Sequence, residues 1–230
     1  MSDAQSGMTA IAPHVYAEMG TSPARIAKLL NIVMKARVRT TFFYGELISD
    51  PDIYFCSGMA CYRQFGAIGL GYTLGNRIAI APQGARAAIV SHELSHVELA
   101  TRLGGQQGPI DKVPEWFDEG LAVMVSQAYE FSDEAWLQAT HNGASQPSLK
   151  ELASRNDWSR VTGVGGCNMQ LSYGTARQEV VRWYDKVGKK GLEQLIQSLN
   201  ARKDFQAEFR NIESAGSLAQ TRQPTPRTKS

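Results

Sequence analysis

The stretch SHELSHVEL, residues 91–99, lies inside a longer segment without helix breakers, and the interpretation of the whole chain depends on it. That segment, GARAAIVSHELSHVELATRL (84–103), is rich in alanine and leucine and ends at two glycines, which predicts an α-helix. Positions four apart on a helix are neighbours, with Cβ atoms about 5–6 Å apart. We therefore expect His92 and His96 to lie on one face of this helix.

Two imidazoles in this arrangement can bind one zinc ion at about 2.0–2.1 Å from each nitrogen. Glu93 lies about 100° around the helix from His92, so it is poorly aimed as a third ligand. Its long side chain can still reach a water molecule on the metal, where a carboxylate acts as a general base in hydrolysis. The alternative is that these three residues form a polar stripe on a purely structural helix.

A second stretch, PEWFDEGLA (114–122), predicts another helix after a turn-rich loop. Catalytic zinc usually has three protein ligands and one open position. Glu119 follows His96 with 22 residues between them, and the glycines and proline of the loop allow the chain to reverse. A second helix can then present a carboxylate to the metal. The spacing alone does not favour Glu119 over Glu115 or Asp118.

HELSH followed by WFDEGLA resembles the gluzincin metallopeptidases of the peptidase MA clan. The resemblance covers about residues 76–130. It implies that His92, His96 and Glu119 bind one Zn²⁺ and that Glu93 is the general base. It also implies an α+β, zincin-like fold, with a small mixed N-terminal sheet, an active-site helix and a helical C-terminal lobe. The implied activity is hydrolysis of peptide bonds in a peptide or protein substrate.

The chain departs from relatives within that clan at two points. Val123 stands where thermolysin-like members have an aspartate, so the partner that a ligand histidine normally needs is open between Asp118 and Glu98. The Gly-x-Met-x-Asn motif of zinc aminopeptidases is also missing, which leaves exopeptidase or endopeptidase action open. The segment NRIAIAP (76–82) alternates and ends at a proline, and it resembles the edge strand that precedes the active helix.

These sites commonly add a hydrogen-bond donor for the developing oxyanion. Tyr173 is the candidate, because it opens the predicted helix SYGTARQEVVRWYDKVG (172–188) after a glycine-rich stretch. The alternative is a half-buried tyrosine that only anchors this helix. His141 is the reserve donor, although its weakly structured surroundings favour a surface position, as they do for His14.

The remaining segments indicate one domain over residues 21–213, with disorder expected at 1–20 and 214–230. Trp116 and Phe117 are expected in the core rather than at a substrate. Further elements are predicted as follows: a helix from Ser22 and Pro23 to about Thr40, a strand at 52–56, a helix at 132–140, an irregular region at 142–170 and a helix at 190–200.

Composition excludes several classes of partner. The net charge is only +2, and the basic residues are scattered along the chain rather than clustered. We therefore expect no nucleic acid partner. No apolar run reaches about 18 residues, which predicts no transmembrane helix, and the N-terminus lacks a signal-peptide pattern, which favours the cytoplasm. Cys56 and Cys61 are close enough to pair in an oxidising compartment, but in the cytosol we expect packed, reduced thiols.

Two functions compete with a peptidase. One is a non-catalytic zinc-binding regulatory module on the same scaffold, and the other is a structural protein without metal. The presence of Glu93 favours the enzyme, because zinc binding alone does not need this residue.

Overall fold

The computed structural model describes residues 7–105 and 112–221, with the side chains of the last helix up to residue 218. Within these ranges the sheet has five strands in the order β1-β2-β3-β5-β4. The pairs β1–β2 and β4–β5 are antiparallel, while β2–β3 and β3–β5 are parallel. The sheet is therefore mixed, as expected. Its strands are β1 Met8–Ala12, β2 Val15–Glu18, β3 Asp52–Phe55, β4 Gly71–Leu74 and β5 Arg77–Ile80.

The prediction of disorder over residues 1–20 is wrong from Met8 to Glu18, which form β1 and β2. Every second residue of β2 is buried, and the ring of Tyr16 stacks on that of Tyr54 at 4.7 Å. This alternation covers only four residues. The backbone of β2 pairs on one side with β3, which is far away in sequence. Residues 1–6 lie outside the described part of the chain.

The prediction of an edge strand at 76–82 is also wrong. The strand β5 is internal, between β3 and β4, and β4 is at the edge. The preceding glycine-rich segment pairs with β5 through a tight turn in which Leu74 opposes Arg77. Gly75 supplies the positive φ, 57°, that this turn requires.

Two long helices pack on the sheet: α1, Pro23–Tyr44, and α3, Ala87–Arg102. The predicted start of α1 is confirmed, because the Ser22 side chain accepts a hydrogen bond from the backbone N–H of Arg25. Apolar side chains from the strands and from both helices form one buried cluster, which includes Ile53, Ile80, Leu29, Val33 and Leu94. The sheet and α1 thus support the helix that carries the two histidines.

The C-terminal half is helical and has its own aromatic core. Its helices are α4 Glu115–Ser126, α5 Asp133–Ala139, α6 Arg155–Thr162, α7 Met169–Asn200 and α8 Phe205–Thr221, and a short α2, Met59–Gln64, lies earlier in the chain. Trp116 and Phe117 of α4 are buried against Phe205 and Phe209 of α8. Their expected role in packing is confirmed.

Three segments in this half differ from prediction. The helices expected at 172–188 and 190–200 are one helix, α7, kinked at Gly188, where φ is 62°. The region expected to be irregular contains α6, which buries Trp158. The tail predicted to be disordered from residue 214 continues α8 to Thr221, because Gly216 packs closely on the backbone of α7. Residues 222–230 lie outside the described part.

Cys56 and Cys61 form a disulfide, so the expectation of reduced thiols is wrong. Cys56 directly follows β3 and Cys61 lies in α2, with Cα atoms 5.6 Å apart, a separation that a disulfide spans readily. Cys167 is an exposed free thiol.

The architecture is thus α+β, with a small mixed sheet in the N-terminal half and helices in the C-terminal half. Within residues 7–105 and 112–221, none of the helices has the length and apolar character that crossing a bilayer demands.

Candidate metal centre

Helix α3 brings the two histidines together as the four-residue spacing predicts. The Nε2 atoms of His92 and His96 lie 3.1 Å apart, and each side chain is only 15% exposed. The two rings meet edge to face at 82° rather than stacking. Two ligand atoms of the predicted site are therefore in place.

Helix α4 supplies the third atom. Oε2 of Glu119 lies 3.2 Å from Nε2 of His92 and 3.6 Å from Nε2 of His96. Within the described residues, His92, His96 and Glu119 are the one group of three whose ligand atoms lie close enough to hold a metal ion. The choice that spacing left open among Glu115, Asp118 and Glu119 is thus made by the way α4 packs on α3.

The three atoms fit a tetrahedral ion. Zinc bonds of about 2.0–2.1 Å at tetrahedral angles would separate ligand atoms by about 3.3–3.4 Å, close to the observed 3.1, 3.2 and 3.6 Å. Oε2 of Glu119 is buried and has no well-aligned hydrogen-bond donor among the described residues, although both imidazoles are close. Burying a carboxylate oxygen without a hydrogen bond normally costs free energy, and a cation between the three side chains would compensate for the missing bond.

Asp118 is the carboxylate that contacts a histidine of this group. Its Oδ1 lies 2.9 Å from Nδ1 of His96, on the far side of the ring from Nε2. Glu98, the other candidate, instead accepts hydrogen bonds from the backbone N–H groups of Ile48 and Ser49 and from Arg102. Glu98 therefore fixes α3 to the segment that follows α1, and no hydrogen bond joins it to His92 or His96 among the described residues.

Charge in the cluster is balanced between the carboxylates and the imidazoles. Burial favours the neutral form of Glu119, but His96 and His92 outweigh it and hold the pKa of this carboxyl well below its usual range. Burial likewise opposes a charged His96, yet Asp118 and Glu119 raise the pKa of its imidazole well above the usual value. The site thus has the charge to hold a cation.

Glu93 lies beside this group without belonging to it. Its carboxylate is buried, and Oε2 accepts a hydrogen bond of 2.7 Å from the hydroxyl of Thr73 on β4. The group of potential ligand atoms does not include Glu93.

Tyr173 lies next to the metal group, that is, next to His92, His96 and Glu119. Its ring centroid is 6.1 Å from that of His92, and the ring stacks on Phe131 and meets Trp158 edge-on. Burial and then the charges of Glu119 and Glu93 raise the tyrosine pKa well above its usual value. The side chain stays protonated and can donate a hydrogen bond.

The other two histidines lie on the surface, as expected. His141 is exposed, with Nδ1 3.1 Å from the hydroxyl of Ser145, and His14 pairs with Asp50 and Asp52. No contact joins His141 to the metal group among the described residues, which removes it as the reserve donor.

Sequence reasoning missed the contribution of β4. Gly71 and Thr73 both contact Glu93, and nothing in the glycine-rich stretch around them indicates such a role.

Comparisons of the chain with protein-family models, with curated proteins and with solved structures found no match. The resemblance to gluzincins therefore depends on the two motifs alone.

Proposed function

We propose that this protein is a gluzincin-type zinc peptidase on a zincin-like scaffold. One observation carries the proposal: two imidazole nitrogens and one carboxylate oxygen converge within 3.1–3.6 Å, and a further buried glutamate lies beside them. Such a set of two His and one Glu is one of the known ligand sets of catalytic zinc sites.

His92, His96 and Glu119 would hold the ion, with Asp118 fixing the ring of His96. When bound, zinc would supply Lewis-acid chemistry, since it can polarise a carbonyl group and lower the pKa of water. Glu93 accepts a proton from the attacking water and returns it to the nitrogen of the leaving amine. Tyr173 donates a hydrogen bond to the oxyanion that develops on the former carbonyl oxygen.

The position of Glu93 is the argument against a non-catalytic zinc module. A regulatory site needs ligands only, and burying a further carboxylate beside them costs free energy. A general base needs this position, next to the ligand group but outside it. The metal-free structural protein is disfavoured by the convergence of three potential ligand atoms, from His92, His96 and Glu119.

The test compares three glutamate variants. Glu93→Gln should retain one zinc per chain and lose hydrolysis of a diverse peptide library, because an amide keeps the shape but cannot accept the proton. Glu119→Gln should bind zinc more weakly, because a neutral oxygen is a poorer ligand. Glu134→Gln, on the exposed surface of α5, is the control and should change neither property.

The outcomes separate the three functions. Less than about a tenth of an equivalent of zinc after reconstitution would contradict every zinc-based function. Full zinc binding by the wild-type protein, with no chelator-sensitive cleavage in the library, would support the regulatory module instead. Unchanged turnover in Glu93→Gln would remove its role as the base.

A further inference from the structure

The carboxylate of Glu93 lies directly against the edge strand β4. Gly71 and Thr73, two positions apart, lie on the same face of this strand, because side-chain directions alternate along a strand. Both contact the Glu93 side chain, whereas Tyr72 between them packs against the cluster around Cys61 and Tyr62. One face of β4 is therefore fitted to this carboxylate.

Gly71 provides the room for it. A Cβ atom at this position would lie 2.4 Å from Oε1, 2.7 Å from Cγ and 2.8 Å from Cδ of Glu93. Gly71 is not among the residues with positive φ, so its backbone conformation does not require glycine. The absence of a side chain at this position is needed because the Glu93 carboxylate occupies that space.

Thr73 provides the hydrogen bond. Its Oγ1 lies 2.7 Å from Oε2 of Glu93 and 3.3 Å from the backbone oxygen of the same residue. A hydroxyl has a single proton to donate, and the shorter distance assigns it to the carboxylate. This bond and the contact with Gly71 together fix the orientation of the carboxylate.

The position of β4 does not depend on Glu93. The strand pairs with β5 along its whole length, and the carbonyl of Leu70 just before it accepts from the N–H of Ala81 at 3.0 Å. The hydroxyl of Tyr62 donates to the carbonyl of Ile68 at 2.8 Å. Gly84 packs so closely on the Leu70 carbonyl that a Cβ there would lie 1.9 Å from its oxygen. The strand is thus a fixed support for the side chain.

We propose that Gly71 and Thr73 are positioning residues that hold the Glu93 carboxylate in the place where it takes a proton. This inference rests on the proposed function. A catalytic group must be held within about 0.5 Å of its working geometry, and a misplacement of about 1 Å can cost about 100-fold in rate. Glu93 has no charged partner among the contacts described here, so these two residues carry that task.

The test uses Thr73→Val, which removes the hydroxyl at nearly constant shape, and Thr73→Ser, which restores it. Thr73→Val should keep one zinc per chain and an unchanged KM, with kcat lowered about 10- to 100-fold. Thr73→Ser should recover most of kcat. Gly71→Ala should lower kcat by about 100-fold or more with zinc retained. Gly58→Ala, where a Cβ meets nothing within 4 Å, is the control.

A second readout is independent of turnover. Acetohydroxamate loses a proton when it chelates zinc. A carboxylate held beside the metal can accept this proton and then hydrogen-bond to the bound ligand, which strengthens its binding. Its affinity for the zinc-loaded protein, measured by calorimetry, should fall in Thr73→Val and Gly71→Ala toward the value of Glu93→Gln. Unchanged kcat and unchanged hydroxamate affinity in Thr73→Val would overturn the inference, even if Gly71→Ala fails to fold.

Failure of the proposed function would give a different result. If the zinc-loaded wild type cleaves no peptide, the function fails, while the hydroxamate series still tests the positioning of Glu93. If the wild type binds no zinc, melting temperatures of metal-free Thr73→Val, Glu93→Gln and the double variant replace that series. Strictly additive shifts among these three proteins would then overturn the inference, because two groups in contact are expected to be coupled.

Discussion

Asp118 and Glu119, consecutive residues of α4, meet opposite nitrogens of the His96 imidazole. Oδ1 of Asp118 lies 2.9 Å from Nδ1, and Oε2 of Glu119 lies 3.6 Å from Nε2. Asp118 lies in the first turn of α4, where the positive end of the helix dipole favours carboxylates. One helix terminus therefore provides both a potential metal ligand and the carboxylate that contacts a second potential ligand, His96.

Replacement of Asp118 by asparagine should weaken metal binding without unfolding the protein. The amide oxygen can still accept the hydrogen bond from Nδ1, but its charge is lost, and such changes typically cost about 10- to 100-fold in metal affinity. Competition with a chromogenic chelator measures the effect. Glu134→Gln, on the far surface, is the control, and equal affinities for wild type and Asp118→Asn would contradict the assigned role.

Metal affinity should increase with pH, and this increase should continue to a higher pH than at a site whose histidines have an ordinary pKa. The carboxylates of Asp118 and Glu119 outweigh burial and raise the His96 pKa in the metal-free protein, so a proton competes with the metal there. Because zinc needs the neutral imidazole, affinity should still increase above about pH 6.5, the usual histidine pKa. Chelator competition over about pH 6 to 9 checks this. In Asp118→Asn the rise should end at lower pH, and an affinity already constant above pH 6.5 in wild type would contradict the prediction.

Tyr173→Phe should lower kcat by about 10²–10³-fold with zinc content and melting temperature nearly unchanged. Burial, followed by the charges of Glu119 and Glu93, raises the pKa of the hydroxyl, so it remains a donor at neutral pH. The ring contacts with Phe131 and Trp158 persist in phenylalanine. Tyr129→Phe, at a tyrosine that is 77% exposed, is the matched control. A lower melting temperature with kcat preserved would show that Tyr173 only packs.

Gly120→Ala should destabilise the fold and the metal centre together. A Cβ at Gly120 would lie 2.5 Å from the carbonyl oxygen of Ala176, so the backbones of α4 and α7 cannot stay in contact. Overpacking of this kind typically costs about 1–3 kcal/mol, measurable by denaturant unfolding. Gly105→Ala, whose Cβ would have its nearest neighbour at 3.7 Å, is the control and should leave stability nearly unchanged.

The local part of the site was accessible from sequence, because helical periodicity alone brings His92 and His96 together. Glu119 needed the resemblance, since its neighbours Glu115 and Asp118 differ from it only in how α4 is rotated against α3. The choice of Asp118 over Glu98 as the partner of a histidine depends on the same packing. Local pattern carries no information about the relative rotation of two helices.

The errors in the sheet have another cause. The strand β3 pairs with β2 and with β5, which are far from it in sequence, and these two pairings place β2 inside the sheet and leave β4 at its edge. A four-residue strand gives too short a pattern to reveal such partners. The contacts of Gly71 and Thr73 with Glu93 depend on how β4 packs on α3, which no local pattern contains. Pairing of Cys56 with Cys61 depends on the distance between β3 and α2, which composition does not contain.

The kink at Gly188 divides α7 into two parts. Gly188 lies about four helical turns beyond Tyr173. The part of α7 next to His92 is therefore regular helix. Helix α8 packs on α7 on both sides of the kink. Gly216 lies against the carbonyl of Lys186 before Gly188, and Ile212 lies near Gly191 after Gly188. Contacts with α8 on both sides of Gly188 therefore support the angle of this kink. The segment of α7 next to His92 lies on the N-terminal side of it.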